Sequence, residues 1–151
     1  MKNLKKLKAS FAFIISSYPH ETISLIRLIR IMFLSEWYYS IIKEKSLSGS
    51  IWNRRTFGPE TDSILEVLDD LGLNLEDGNS ELDGFTIVIK TKPLDFSLLS
   101  VDEQIIISIA MKHLNDLNFV ELNSYIESLY PIQHTDINAE IKFEELAKKA
   151  P

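Results

Sequence analysis

The stretch ISLIRLIRIMFLSEWYYSIIKE, from Ile23 to Glu44, decides the fold of this chain. Its polar residues recur in one narrow stripe at helical spacing, and apolar side chains fill the rest of the circumference, which indicates a helix buried on most sides. A membrane span needs about 20 apolar residues. However, Arg27, Arg30 and Glu36 would each cost roughly 2.5–3.5 kcal/mol near the centre of a bilayer. The stretch therefore predicts a central core helix.

A second helix is predicted before this one. Apolar residues recur at steps of three or four between Leu4 and Tyr18, which predicts an amphipathic helix over residues 3–17. The lysines at its start imitate a signal peptide, but the apolar core is short and no A-x-A cleavage pattern follows. We therefore expect this helix to belong to the fold.

Two segments after the central helix are rich in β-favouring residues and predict short strands, 51–57 and 85–90. Because an isolated strand leaves its backbone groups unpaired, we expect these strands to pair with each other. Pro59 and Glu60 predict the start of a helix between them, since proline suits the first helical position and an acidic residue complements the helix dipole.

Two capping signals predict further helices: Ser100 with Glu103, and Asn118 with Glu121. The corresponding helices cover residues 101–117 and 119–129. A final amphipathic helix is predicted over residues 136–149. The buried face of the helix after Ser100 is predicted to comprise Ile105, Ile106, Ile109 and Leu114.

Together these elements predict a mainly α fold with a small antiparallel β-hairpin (α+β). We expect residues 1–151 to form one compact domain, a helical bundle around the central apolar helix. A chain of 151 residues buries about 68–70% of its unfolded surface, which is enough for a core without disulfides. It contains no cysteine, which fits a cytoplasmic protein. Its net charge of −6 gives no general attraction to nucleic acid.

The segment from Trp52 to Glu60 carries the most interface-like residues. Tryptophan and arginine are common anchors at protein interfaces. Glu60 is the first acidic residue of a segment, from Glu60 to Asp83, that contains no lysine or arginine. We therefore predict Trp52, Arg54, Arg55, Phe57 and Glu60 as partner-binding residues. The alternative is that Trp52 and Phe57 belong to the core and that the arginines are only solvated.

No catalytic or metal-binding pattern is recognisable. His20, His113 and His134 lie in separate segments without a second ligand at metal spacing. The sequence also has no glycine-rich phosphate loop, no nucleophile elbow and no zinc-protease motif. We therefore predict no catalytic residues, no metal and no cofactor. A hydrolase stays as an alternative, although no nucleophile can be matched with a base.

Short motifs follow one another along the chain: Ile31–Leu34 with Glu36 and Trp37–Tyr39, Leu47–Gly49, Trp52 with Phe57–Pro59, Leu99–Glu103, and Leu122 through Tyr130–Ile132. In order and separation they resemble the Panacea antitoxin domain family, which also contains SocA-like antitoxins and phage-associated proteins. The resemblance covers about residues 23–132. It implies a small, mainly helical domain that neutralises a toxin protein by direct binding, without chemistry of its own.

The resemblance also implies a partner, a cognate toxin that is normally encoded by the adjacent gene. The class of toxin does not follow from it. Some members are described as phage proteins or protease adaptors, so a protease adaptor is an alternative function.

A DNA-binding autoregulator is a further alternative, with the predicted helices at 101–117 and 119–129 as a helix–turn–helix. The second of these helices carries Glu121 and Glu127 but no lysine or arginine to contact phosphate. We therefore expect a protein partner, neither nucleic acid nor membrane, and leave a homo-oligomer open.

Overall fold

The computed structural model describes residues 4–77, 86–90 and 92–151 of the chain. In chain order, the elements that it describes are α1 (Lys5–Ser17), β1 (Thr22–Ser24), α2 (Leu25–Lys43), β2 (Trp52–Arg55), β3 (Gly58–Thr61), α3 (Ile64–Asp70), β4 (Asn74–Asp77), β5 (Thr86–Ile89), α4 (Val101–Asn115), α5 (Phe119–Glu127), α6 (Tyr130–Gln133) and α7 (Phe143–Lys149). This mainly helical arrangement with small antiparallel sheets confirms the predicted α+β fold class.

The position of α2 confirms the predicted core helix. It contacts α1, α4, α5 and α7 as well as strands β1, β3 and β5. The consecutive residues Ile31–Leu34 are all completely buried, so apolar side chains are covered on every side of this helix. Ser24 begins the helix, because its Oγ accepts a hydrogen bond from the Arg27 N–H at 3.1 Å. Among the described residues, no helix has both the length and the apolarity that crossing a bilayer requires.

A three-stranded antiparallel sheet has the strand order β1, β5, β4, and its strand β1 directly precedes α2 along the chain. Ile23 and Leu75 lie on either side of Val88 in this sheet. Strand β5 confirms the strand predicted at 85–90, of which Phe85 lies outside the described residues. Its predicted pairing with 51–57 is wrong, because β5 pairs with β1 and β4 instead.

The strand predicted at 51–57 is confirmed as β2, but it pairs with β3. The helix predicted to start at Pro59 is therefore wrong, and the helix α3 begins only at Ile64. Among the described strands, β3 pairs with β2 and with no other. Proline is tolerated in β3 because the other side of this strand needs no N–H from Pro59. Glu60 accordingly lies on a strand and not in a first helical turn.

Both predicted capping boxes are present. Ser100 Oγ accepts from the Glu103 N–H at 3.1 Å, and a Glu103 carboxylate oxygen accepts from the Ser100 N–H at 2.8 Å. Asn118 and Glu121 exchange the equivalent bonds at 2.9 and 3.0 Å. The helices α4 and α5 thus begin where the sequence predicts.

The buried face of α4 differs from the prediction. Ile106 and Leu114 are buried as expected, but Ile105 is 52% exposed and Ile109 is 40% exposed. Three isoleucines in succession, 105–107, leave the direction of the buried face open in the sequence, and packing against α1 and α2 decides it. The apolar residues of α4 that are buried in addition are Ile107, Ala110 and Met111.

The two terminal helices are shorter than predicted. Helix α1 runs over Lys5–Ser17, and the first predicted residue, Asn3, lies outside the described residues. The helix predicted over 136–149 is confirmed only at Phe143–Lys149. Asn138 has a left-handed backbone with φ of 70°, and the residues after it are hydrogen-bonded to β2. This tertiary pairing prevents a helix before Phe143.

Candidate partner-binding surface

The β2–β3 hairpin carries all five of the predicted partner-binding residues. Arg54 and Arg55 lie on β2, Glu60 lies on β3, and Phe57 lies in the turn that joins the strands. Phe57 is 87% exposed, Glu60 is exposed, and the two arginines are half-buried. The alternative that Phe57 belongs to the core is therefore wrong. The hairpin tip places a large aromatic side chain in solvent.

Arg30 of α2 fixes the backbone of this turn. Its Nη2 donates a hydrogen bond to the Phe57 carbonyl at 2.6 Å, and its Nη1 donates to the Pro59 carbonyl at 3.4 Å. Arg30 is only 5% exposed. Burial lowers its pKa, and the charges of Glu127 and Glu60 oppose this effect. Because hydrogen bonds from a charged donor are stronger than neutral ones, Arg30 holds the turn that displays Phe57.

Gly58 permits this close approach. Its φ of +129° is a conformation that residues with a side chain rarely adopt. A Cβ at this position would overlap Nη2 and Cζ of Arg30. A side chain at position 58 would therefore require the guanidinium of Arg30 to shift away from the turn.

A segment of the C-terminal region supports the other edge of β2. The Arg54 N–H donates to the Ala139 carbonyl at 3.0 Å, and the Asn138 N–H donates to the Arg54 carbonyl at 2.5 Å. Further along the same edge of β2, the Ile141 N–H donates to the Trp52 carbonyl at 2.8 Å. Strand β2 is thus hydrogen-bonded on both edges, so the hairpin is a supported structure and not a free loop.

The two arginines of β2 have different surroundings. Arg54 Nη1 donates to the Thr135 carbonyl at 2.7 Å, and its Nη2 lies 4.0 Å from the carboxylate of Glu127. Among the described residues, Arg55 Nη1 contacts Oδ1 of Asn138 at 3.4 Å, which is long for a hydrogen bond. Arg54 therefore helps to hold the hairpin, whereas the side chain of Arg55 is held more weakly.

Trp52 lies in the core beneath the hairpin and is completely buried. Its Nε1 donates to Glu36 Oε2 at 2.8 Å, and Ser48 donates to the same carboxylate from its N–H at 3.0 Å and from its Oγ at 2.6 Å. Glu36 is 2% exposed. Burial raises the pKa of Glu36, and the bonds from Ser48 and Trp52 oppose this rise. Trp52 therefore supports β2 and does not reach a partner.

No protein family model, curated protein or solved structure matches this chain. The resemblance to the Panacea family stays a prediction. The structure does show what several of the motif residues do here. Glu36 of the helix motif binds Ser48 and Trp52, and Phe57–Pro59 meets Arg30 from the same helix. Glu36, Ser48, Trp52 and Phe57–Pro59, which belong to three of the motifs, therefore make contacts that support one hairpin.

Arg30 and Glu36 are the supporting residues whose role the sequence did not reveal. In the sequence, both residues stand out only as charges that disfavour a membrane span, and Glu36 is also part of a motif. A charge inside an apolar core helix signals a buried polar partner, because an unpaired buried charge is very costly. The sequence therefore indicates that each of these charges has a buried partner. It does not indicate which residue the partner is, because the partners lie 12 to 29 residues away along the chain.

A polar cluster of Tyr38, His113 and Tyr125 links α2, α4 and α5. Tyr38 Oη lies 2.5 Å from His113 Nδ1 and 3.1 Å from Tyr125 Oη. Burial and the bond to Tyr125 raise the pKa of Tyr38, so the phenol keeps its proton at neutral pH and is not an activated nucleophile. Within residues 4–77, 86–90 and 92–151, no three acidic or histidine side chains are grouped so as to hold a metal ion.

Proposed function

We propose that this chain is an antitoxin-like protein that neutralises a toxin protein by direct binding, and that the tip of the β2–β3 hairpin contacts the toxin. The observation that carries the proposal is the exposure of Phe57, which is 87% accessible on a turn held by Arg30. A rigid backbone loses little conformational entropy on binding. Aromatic residues and arginine are also frequent hot spots of protein interfaces.

The residues around Phe57 fit a protein partner better than a nucleic acid. Arg55 stands on one strand and Glu60 on the other, so the tip presents an apolar centre between charges of both signs. Interfaces between proteins commonly have an apolar core and a polar rim. Nucleic acid binding requires an excess of positive charge, and the chain has a net charge of −6.

Such a protein acts by occupying a surface of the toxin, and this mode of action needs no cofactor. The partner would be the toxin encoded by the adjacent gene. The lack of cysteine fits the reducing cytoplasm, where the two proteins would meet.

Co-expression with the product of the adjacent gene tests this proposal. We expect the wild-type chain to relieve the growth arrest that the product causes, and to co-purify with it. Phe57→Ala should weaken the complex by about tenfold or more, as expected for a hot-spot residue. Its fold should be unchanged, because the side chain is exposed and its carbonyl still accepts from Arg30.

The matched control is Ile42→Ala. Ile42 is 56% exposed near the C-terminal end of α2 and is not part of the β2–β3 hairpin. Persistent growth arrest and no complex with the wild-type chain would overturn the proposed function. A complex that Phe57→Ala and Ile42→Ala weaken equally would place the contact outside the hairpin.

A further inference from the structure

A stripe of exposed apolar side chains runs along α4, on a different part of the chain from the hairpin. Val101, Ile105 and Ile109 are 72%, 52% and 40% exposed. They recur every four residues and therefore share one helix face. Leu98, which is 53% exposed, extends the stripe just before the helix. Together with Phe13 of α1, the three helical residues line a shallow depression of about 330 Å³.

The two ends of this stripe carry opposite charges. Asp102 lies in the first turn of α4, and its side chain is 65% exposed although it pairs with Lys43 at 2.8 Å. Lys112 lies in the last turn and lines the same depression as the apolar residues. An acid at one end, a base at the other and apolar residues between them are self-complementary when two identical helices lie antiparallel. A two-fold axis perpendicular to the two helices produces this orientation.

We infer that α4 is a self-association surface through which two copies of this chain pair about a two-fold axis beside Ile105. In this pairing Ile105 packs on Ile105 of the second copy, and Val101 packs on Ile109. Lys112 then lies at the start of the second copy's α4, close to Asp102. A parallel pairing would place Lys112 beside Lys112 and is disfavoured by repulsion between like charges.

The expected dimer is weak. From Val101 to Ile109 the stripe covers about 12 Å of helix, at 1.5 Å per residue. A stable interface buries about 800 Å² on each partner, which is more than one such face provides. We therefore expect a reversible equilibrium in which the dimer forms only at high protein concentration.

Sedimentation velocity of the full chain, from micromolar to millimolar concentration, measures this equilibrium. Ile105→Glu should raise the dissociation constant by about tenfold or more, because it places a charge at the centre of the interface. The control is Leu65→Glu on α3, where the replaced side chain is 59% exposed. A wild-type chain that stays monomeric throughout, or an equal effect of the two substitutions, would overturn the inference.

Single cysteines test the geometry, because the natural chain has none. Under mild oxidation, Ile105→Cys should form a disulfide with itself across the axis. Val101→Cys and Ile109→Cys should cross-link with each other in a mixture more readily than either does alone. Self-linking of Val101→Cys as strong as that of Ile105→Cys would overturn the antiparallel pairing. Cross-linking at these positions to a toxin but not to a second copy would overturn self-association.

Discussion

The guanidinium of Arg30 is hydrogen-bonded to the carbonyl of Phe57, with 2.6 Å between Nη2 and the oxygen. Arg30 lies in the buried central helix, and Phe57 is 87% exposed. This bond connects the core of the fold with the surface that we propose binds a toxin. Substitutions in the central helix should therefore change the hairpin as well as the stability of the chain.

Arg30→Met should destabilise the protein and loosen the hairpin. Methionine keeps an apolar chain of similar length but leaves the carbonyls of Phe57 and Pro59 without their donor. Losing a hydrogen bond to a charged group costs about 1.5–3 kcal/mol. The substitution also relieves the cost of burying the charge, so we expect a decrease near the lower end of this range. Urea unfolding measures it, and hydrogen exchange should be faster in β2 and β3.

The control for this substitution is Lys148→Met, at an exposed position in the last turn of α7. Substitutions of this kind usually change the free energy of unfolding by less than about 0.5 kcal/mol. If Arg30→Met unfolded at the same urea concentration as the control, the bonds from Arg30 would not contribute to stability.

Gly58→Ala should cost more stability than Gly49→Ala. Both glycines have a positive φ, +129° and +73° respectively. A Cβ at Gly49 would have no atom within 4 Å, so only the backbone conformation is penalised, by about 1–2 kcal/mol. A Cβ at Gly58 would in addition overlap the guanidinium of Arg30. Urea unfolding of the two variants compares the costs, and equal values would contradict the close packing of Gly58 on Arg30.

Glu36→Gln should remove a pH dependence of stability. Burial raises the pKa of Glu36 above its ordinary value of 4.5, so the folded state holds the proton more tightly than the unfolded state does. Between the ordinary and the raised pKa the folded state binds more protons. The free energy of unfolding therefore falls as pH rises through this interval. Glu36→Gln lacks the titrating group and should not show this fall.

Urea unfolding at a series of pH values, starting below 4.5, measures this effect. The control is Glu66→Gln on α3, which replaces an exposed acid and should keep the pH dependence of the wild-type chain. If Glu36→Gln kept the wild-type pH dependence, the raised pKa of Glu36 would not be its cause.

The sequence predicted features that depend on neighbouring residues. Ser100 and Glu103 form a capping box within one helical turn, and no distant residue is needed to complete it. The pairing of β5 with β1 instead joins Val88 to Ile23, residues far apart along the chain. The pairing of such distant segments depends on how the whole core packs. The β-propensity of residues 85–90 therefore predicted a strand correctly but could not predict which strand it pairs with. The helix expected at Pro59 was wrong for a different reason, because Pro59 pairs with Arg54 in a local hairpin between β2 and β3.

At the candidate surface, too, the features that depend on distant residues could not be predicted from the sequence. Trp52 and Phe57 are both aromatic residues of one predicted strand, and the sequence does not distinguish the buried one from the exposed one. The difference arises from Glu36, whose buried carboxylate accepts the indole N–H of Trp52. Arg30 donates a hydrogen bond to the backbone carbonyl of Phe57, and the side chain of Phe57 remains in solvent. Both contacts depend on the packing of the central helix beneath the hairpin, which the sequence does not reveal.

Charge reversal at Arg54 and at Arg55 should separate support of the hairpin from contact with a toxin. The sequence predicts both arginines as partner-binding residues, so on that basis either reversal would weaken binding. In the structure, Arg54→Glu would place a carboxylate beside the Thr135 carbonyl and close to Glu127. We therefore expect Arg54→Glu to lower the free energy of unfolding by about 1–2 kcal/mol.

Arg55→Glu should leave that free energy within about 0.5 kcal/mol of the wild-type value, because its contact with Asn138 is long and at the surface. It should nevertheless weaken binding of the toxin, since Arg55 stands next to the exposed tip. Urea unfolding and calorimetric titration with the purified toxin measure the two effects separately. Because Arg55→Glu keeps the hairpin folded, a wild-type affinity in this variant would mean that the toxin contacts another face of the protein.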